Sequence, residues 1–105
     1  MNLKKGLKIQ IKRATTCGIK ECWACYFEFE SVQYGFIECK ADKRYYAIHL
    51  DTGYSVGEIE NNTKRAKGFE LLKDKIKTTP KAKIEKALKK AKKDMRVRGF
   101  DYPLN

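Results

Sequence analysis

The stretch whose reading decides the fold is Thr79–Arg98, TPKAKIEKALKKAKKDMRVR. Thr79 is a residue type that accepts the first free backbone donors of a helix, and Pro80 follows where a missing N–H costs nothing. At about 100° per residue, Ile84, Ala87, Leu88, Ala91 and Met95 fall into one stripe. Lys81, Lys83, Lys86, Lys89, Lys90, Lys92, Lys93 and Arg96 cover nearly all the remaining surface, interrupted only by Glu85 and Asp94. Small alanines in the stripe permit close approach to a neighbouring layer. The stretch predicts a basic amphipathic helix packed on a sheet.

The sequence N-terminal to it supplies that sheet. Leu7–Arg13 alternates apolar and polar residues and reads as a first strand. Ala14–Cys22, with Gly18 and two threonines, reads as a loop. Trp23, Cys25, Phe27 and Phe29 then face one way and Ala24, Tyr26, Glu28 and Glu30 the other, giving a second strand. A turn over Ser31–Tyr34 leads to a third strand, Gly35–Lys40. Arg44–Leu50 is a fourth strand, and Asp51-Thr52-Gly53 turns the chain into a short fifth, Tyr54–Glu60. Asn61-Asn62-Thr63 offers caps for a first helix over Lys64–Lys77, whose apolar positions are Ala66, Phe69, Leu72 and Ile76. The tail from Gly99 holds Phe100, Tyr102 and Leu104, apolar weight enough to pack back on the body. The expected fold is α+β: an antiparallel meander of about four to five strands followed by two helices on one sheet face, in a single domain spanning 1–105.

The 105 residues carry a net charge of +11, with 35% charged and 11% aromatic residues. That aromatic content argues against disorder, and the length suffices for a core without staples. Leu7, Ile9 and Ile11 alternate with polar residues, so no secretory core segment is expected. No run approaches the ~20 apolar residues of a membrane span. The interfacial-helix reading also fails, because such helices insert bulky residues where this one has alanine. A cytoplasmic location with no membrane partner follows. There the four cysteines are thiols or ligands rather than disulfides.

Charge is distributed unevenly. Residues 1–62 hold 9 basic and 8 acidic groups, whereas residues 63–105 hold 15 and 5. Lys is a good helix former and a solvated Lys face keeps a small domain soluble, so 19 lysines by themselves require no ligand. A solubility device needs no such asymmetry, however, and phosphate neutralisation does. The expected function is a non-enzymatic nucleic-acid-binding protein, DNA or RNA, contacting phosphates through Lys83, Lys86, Lys89, Lys90, Lys93 and Arg96. An interaction module docking an acidic protein partner is the alternative. Glu28 and Glu30, with Glu38 near, make a strand face acidic, so Tyr26, Tyr45 and Tyr54 are expected to be half-buried rather than base-stacking. The anion site is therefore expected on the helices.

Three sparser patterns remain. Cys17, Cys22, Cys25 and Cys39 have the spacing C-x4-C-x2-C-x13-C. Free, mostly buried thiols are the default and a tetrahedral zinc site the alternative, because only one C-x2-C is present and Cys25 would point into a core. The first three also resemble the C-x4-C-x2-C run of plant-type ferredoxins, but the fourth spacing is short and the glycine-rich loop is missing. Glu38-Cys39-Lys40 resembles the E-x-K part of the PD-(D/E)xK nuclease motif, which implies a metal-dependent nuclease with Glu38 on the metal, Lys40 on developing charge and Glu28 as an upstream carboxylate. Strands followed by Thr63-Lys64-Arg65-Ala66 resemble the arm-type DNA-binding modules of phage integrases. That resemblance implies a mobile-element origin and a sheet on DNA, yet here the strand face is acidic. His49, the single histidine, has no evident triad partner and reads as structural. No catalytic residue and no cofactor is expected.

Overall fold

Alternating residues in the first sixty positions build five strands: β1 (Leu3–Thr15), β2 (Gly18–Phe29), β3 (Val32–Cys39), β4 (Arg44–His49) and β5 (Ser55–Glu60). Two helices follow, α1 (Arg65–Thr78) and α2 (Lys81–Arg98). The computed structural model describes residues 3–60 and 64–105. The strands form one antiparallel meander in the order β1-β2-β3-β4-β5, and both helices lie on one face, which is the expected α+β architecture. The expected caps Asn61, Asn62 and Thr63 lie outside the described residues.

Two turns explain why strand boundaries depart from the expectation. Ala14–Cys22 is almost entirely strand, because β1 and β2 are joined by only Thr16 and Cys17. The Thr15 hydroxyl donates to the Gly18 carbonyl at 2.8 Å and accepts from the Cys17 N–H at 3.2 Å. These side-chain bonds close a tight turn where composition suggested a loop. Between β2 and β3, Glu30 and Ser31 have φ of 50° and 64°, the left-handed pair whose twist matches a two-residue hairpin. The expected turn at Ser31–Tyr34 is thus shorter, and β3 begins at Val32.

The sheet buries both faces. On the helix side Phe27, Tyr34, Phe36, Tyr45 and Ala47 pack under Phe69, Leu72 and Ile76 of α1. On the other side Ile11, Ala24, Ile37, Ile48 and Leu50 form a second cluster. The β1–β2 hairpin curls to cover it: the β2–β3 ladder ends at Cys25–Phe36, and the Ala14 N–H donates to the Gly53 carbonyl at 2.8 Å. Gly35 makes this approach possible, since a Cβ there would lie 2.9 Å from Ala24 Cβ and 3.0 Å from Ile11 Cδ1. The tail completes the closure. Asn105 Nδ2 donates to the carbonyls of Lys12 at 2.8 Å and Leu50 at 2.6 Å, while its Oδ1 accepts from the Lys12 N–H at 2.7 Å. One side-chain amide thereby serves β1 as a neighbouring peptide group would.

Each helix deviates from its expected stripe. In α1, Ala66 is exposed and Gly68 is buried in its place. In α2, Ala91 and Met95 are buried, Ile84 and Leu88 are half-buried, and Ala87 is exposed. Leu88 is therefore a partial rather than a principal anchor; it lines a cavity with Ile84, Phe29 and Val32. Thr79 does not cap α2. Its hydroxyl donates back to the Lys75 carbonyl at 2.6 Å and closes α1, while Pro80 is the N-cap of α2 and its carbonyl accepts from Lys83 N–H at 3.0 Å. At the far end Gly99, with φ of 77°, takes the left-handed position that stops the helix, and Phe100 N–H returns to the Met95 carbonyl at 2.8 Å.

Gly68 sets how closely α1 approaches the sheet. A Cβ there would fall 2.7 Å from Cδ2 and 2.9 Å from Cζ of the buried Tyr45 ring. Glycine to alanine inside a helix ordinarily stabilises by roughly 0.5–1 kcal/mol. Gly68→Ala is expected to destabilise instead, lowering the urea unfolding midpoint; a raised midpoint would show that α1 does not rest on Tyr45.

Candidate nucleic-acid interface

The six cations expected at the site all sit on α2, and all are exposed. At 3.6 residues per turn, Lys86, Lys89, Lys90, Lys93 and Arg96 occupy an arc of about 120° directed away from the buried Ala91 and Met95. Lys83 flanks that arc nearer the helix start. Among the described residues none of the six forms an ion pair; the pairs present are Arg44–Glu58, Lys73–Glu70 and Arg98–Asp94. Lys92 differs, since its ammonium lies 4.9 Å from the centre of the Tyr102 ring.

What fixes this helix is chemistry at its C-terminal end. Arg98 Nη1 donates to Tyr54 Oη at 3.1 Å, and the same guanidinium donates to the Thr15 carbonyl. It also lies 4.3 Å from the Phe100 ring centre. Tyr54 donates in turn to Asp94, and burial together with that bond pushes the phenol pKa up. Of the two acids in α2, Asp94 is thus engaged with Tyr54 and Arg98 rather than with the lysines.

The tyrosines behave largely as expected. Tyr45 is buried, and Tyr54 is half-buried in the cluster just described. Tyr26 is half-buried, donates to Glu28 at 3.0 Å and accepts from Gln33 at 3.0 Å. Sequence reasoning missed Trp23, assigned to the core side of β2 with Phe27. It shares that side, but α1 packs on β4 and β5 and leaves Trp23 63% exposed. A groove of about 660 Å³ also runs between α2 and the start of β5, lined by Val56, Ala87, Lys90, Lys93 and Val97.

The cysteines are free but not mostly buried as expected: Cys17 is exposed and Cys22, Cys25 and Cys39 are half-buried, with Cys39 near Cys22 and the pleat setting Cys25 apart from both. Cys25 pairs with Phe36 and packs on the helix-side core, whereas Cys22 packs on the opposite cluster. Cys17 is exposed in the hairpin turn. Among the described residues no group of three or more His, Cys, Asp or Glu is placed to hold a metal ion. Burial pushes the Cys22 thiol up, partly opposed by Arg13, so the neutral thiol is favoured. Close by, Tyr46 donates to Asp42, which pushes the phenol up to about 12 and the carboxyl down.

The nuclease-like residues are not brought together. Glu28 pairs with Gln33 on one face, Glu38 stands opposite Tyr45 on the other, and Lys40 lies in the turn beyond β3. His49 is buried with Nδ1 3.0 Å from the Thr52 hydroxyl, and burial lowers its pKa, as suits a structural residue. Of the integrase-like segment, Lys64 precedes α1 and Arg65 opens it, behind a sheet of five strands rather than three. No helix among the described residues is long and apolar enough to cross a membrane.

Fold and surface together define a small α+β protein whose second helix exposes an arc of cations that form no ion pair among the described residues. No protein-family model, curated protein or solved structure matches the chain.

A structural zinc supplies folding energy outright. With Cys22 and Cys25 on opposite faces, excess chelator is expected to leave the thermal midpoint unchanged. A chelator-induced drop of several degrees would mean that the thiols share a metal.

Proposed function

We propose that the protein is a non-enzymatic, cytoplasmic nucleic-acid-binding protein that contacts phosphates through Lys83, Lys86, Lys89, Lys90, Lys93 and Arg96. The observation that carries this reading is the exposed arc of α2 cations without carboxylate partners. A lysine ammonium acts on phosphate as a point charge, with no fork to read a base edge. Binding is then strong at low salt, weakly selective for sequence, and driven by release of condensed counterions. Acids do approach the start of the helix, where Glu30 of the β2–β3 turn lines a cavity with Lys81, Ile84 and Glu85, so the attraction rests most on the cations further along α2.

A second reading has one observation in its favour. Val97 is 80% exposed beside the groove under α2, whose rim carries Lys90 and Lys93. An acidic partner with apolar residues would fit such a rim, and its binding would lose less with salt because apolar burial is not screened.

Replacing Lys86, Lys89, Lys90 and Lys93 together by Gln separates these readings. The variant keeps the buried face of α2 and is expected to fold. Its affinity for DNA or RNA should fall, and its log–log salt slope should flatten by roughly one unit per lost phosphate contact. Unchanged affinity in the folded variant would refute the phosphate contact.

A further inference from the structure

Trp23 is an exposed indole that lines a shallow cavity with two cations, Lys8 and Arg65. A tryptophan buried in a core contributes 150–250 Å² of apolar area, so leaving one 63% exposed forgoes most of that gain. Its position follows from the topology. Trp23 pairs with Gln10 of β1 on the helix-side face, one pleat beyond Cys25, where α1 no longer covers the sheet. With Lys8, Ala24 and Arg65 it lines a shallow cavity of about 280 Å³. Lys8 comes from β1 and Arg65 from the first turn of α1, a turn that contains no acidic residue. Lys67 is exposed on the same turn. The nearby acids are Glu21, on the same face of β2 and within 3.4 Å of Gln10 Nε2, and Glu38 on β3, which with Arg65 acts on Tyr45.

We propose that Trp23 is a stacking platform for an unpaired base, with Lys8 and Arg65 receiving the flanking phosphates, so that the preferred ligand is single-stranded nucleic acid. This rests on the basic-helix reading and specifies its ligand. The chemistry is that of single-strand recognition: every base has a π-face that an aromatic side chain can cover, and cations beside the ring follow the backbone. A base inside a duplex is already stacked on both sides and presents no such face. The two regions then divide the work. The α2 lysines provide sequence-independent attraction to any polyanion, while Trp23 distinguishes a polymer with free bases from one without.

Trp23 is the single tryptophan of the chain, so its intrinsic fluorescence reports on the site directly. The experiment titrates the protein at low salt with fluorescein-labelled oligothymidylate or oligouridylate, following label anisotropy for binding and tryptophan emission for stacking. Heparin, a polyanion without bases, is titrated in parallel. The expected result is strong tryptophan quenching by the oligonucleotides and little by heparin. Trp23→Ala should weaken oligonucleotide binding roughly tenfold while leaving heparin affinity unchanged, and Trp23→Phe should retain most of it. Oligonucleotide binding without quenching, or equal quenching by heparin, overturns the stacking role and leaves the basic-helix reading standing. No oligonucleotide binding at all overturns both.

Discussion

The position of the basic helix depends on one side chain, Arg98. Its guanidinium joins four parts of the chain: Asp94 within α2, Tyr54 ahead of β5, the carbonyl of Thr15 at the end of β1, and the ring of Phe100 in the tail. Arg can do this because its planar fork offers five donors and its face stacks on an aromatic ring. The cluster fixes the C-terminal half of α2, where Ala91 and Met95 are also buried. Toward the N-terminal end Ile84 and Leu88 are only half-buried, so the cations there are carried by a helix touching the body along a narrow seam.

That arrangement has an electrostatic consequence. Cations brought together on one face repel one another, and a folded chain ordinarily relieves this by interspersing carboxylates. Here Asp94 is turned to Tyr54 and Arg98, and the outer-arc cations form no ion pair among the described residues. Glu85 is the α2 carboxylate left at the edge of that arc, and several other acids have partners of their own: Glu28 with Tyr26, Glu58 with Arg44, and Asp42 of the β3–β4 turn with Tyr46. Several acids on the sheet side thus have local partners, while the cations on the outer arc of α2 form no ion pair among the described residues. On the proposed reading an external anion would offset this repulsion, with a gain that falls as salt rises.

Much of this was legible in the sequence, for reasons that can be named. Period-2 alternation over residues 23–29 and the Asp51-Thr52-Gly53 break reflect the pleat and a turn, both local, and the meander followed from them. The outer arc of α2 was legible because its residues are all exposed, so helical spacing alone places them. What escaped depended on contacts between distant elements. Gly68 replaces Ala66 as a buried position because Tyr45, twenty-three residues earlier, needs the space. Thr79 caps the preceding helix rather than the following one because the Lys75 carbonyl lies within reach. The second core arises because β1 and β2 fold across the sheet, which a single strand's pattern does not specify. Trp23 has the same periodicity as Phe27, and only the reach of α1 exposes one and buries the other.

The central claim is that polyanions meet this protein first on the outer face of α2, with the Trp23 edge of the sheet adding contacts only for a polymer with free bases. Amide chemical-shift mapping tests it most directly: the 15N-labelled protein is titrated with a short oligonucleotide at low salt, and salt is then raised to reverse the complex. The account predicts salt-reversible shifts from Lys83 to Arg96 and around Trp23, with Glu28–Gln33 unmoved. Shifts confined to the sheet, or the absence of shifts at saturating oligonucleotide, would contradict it.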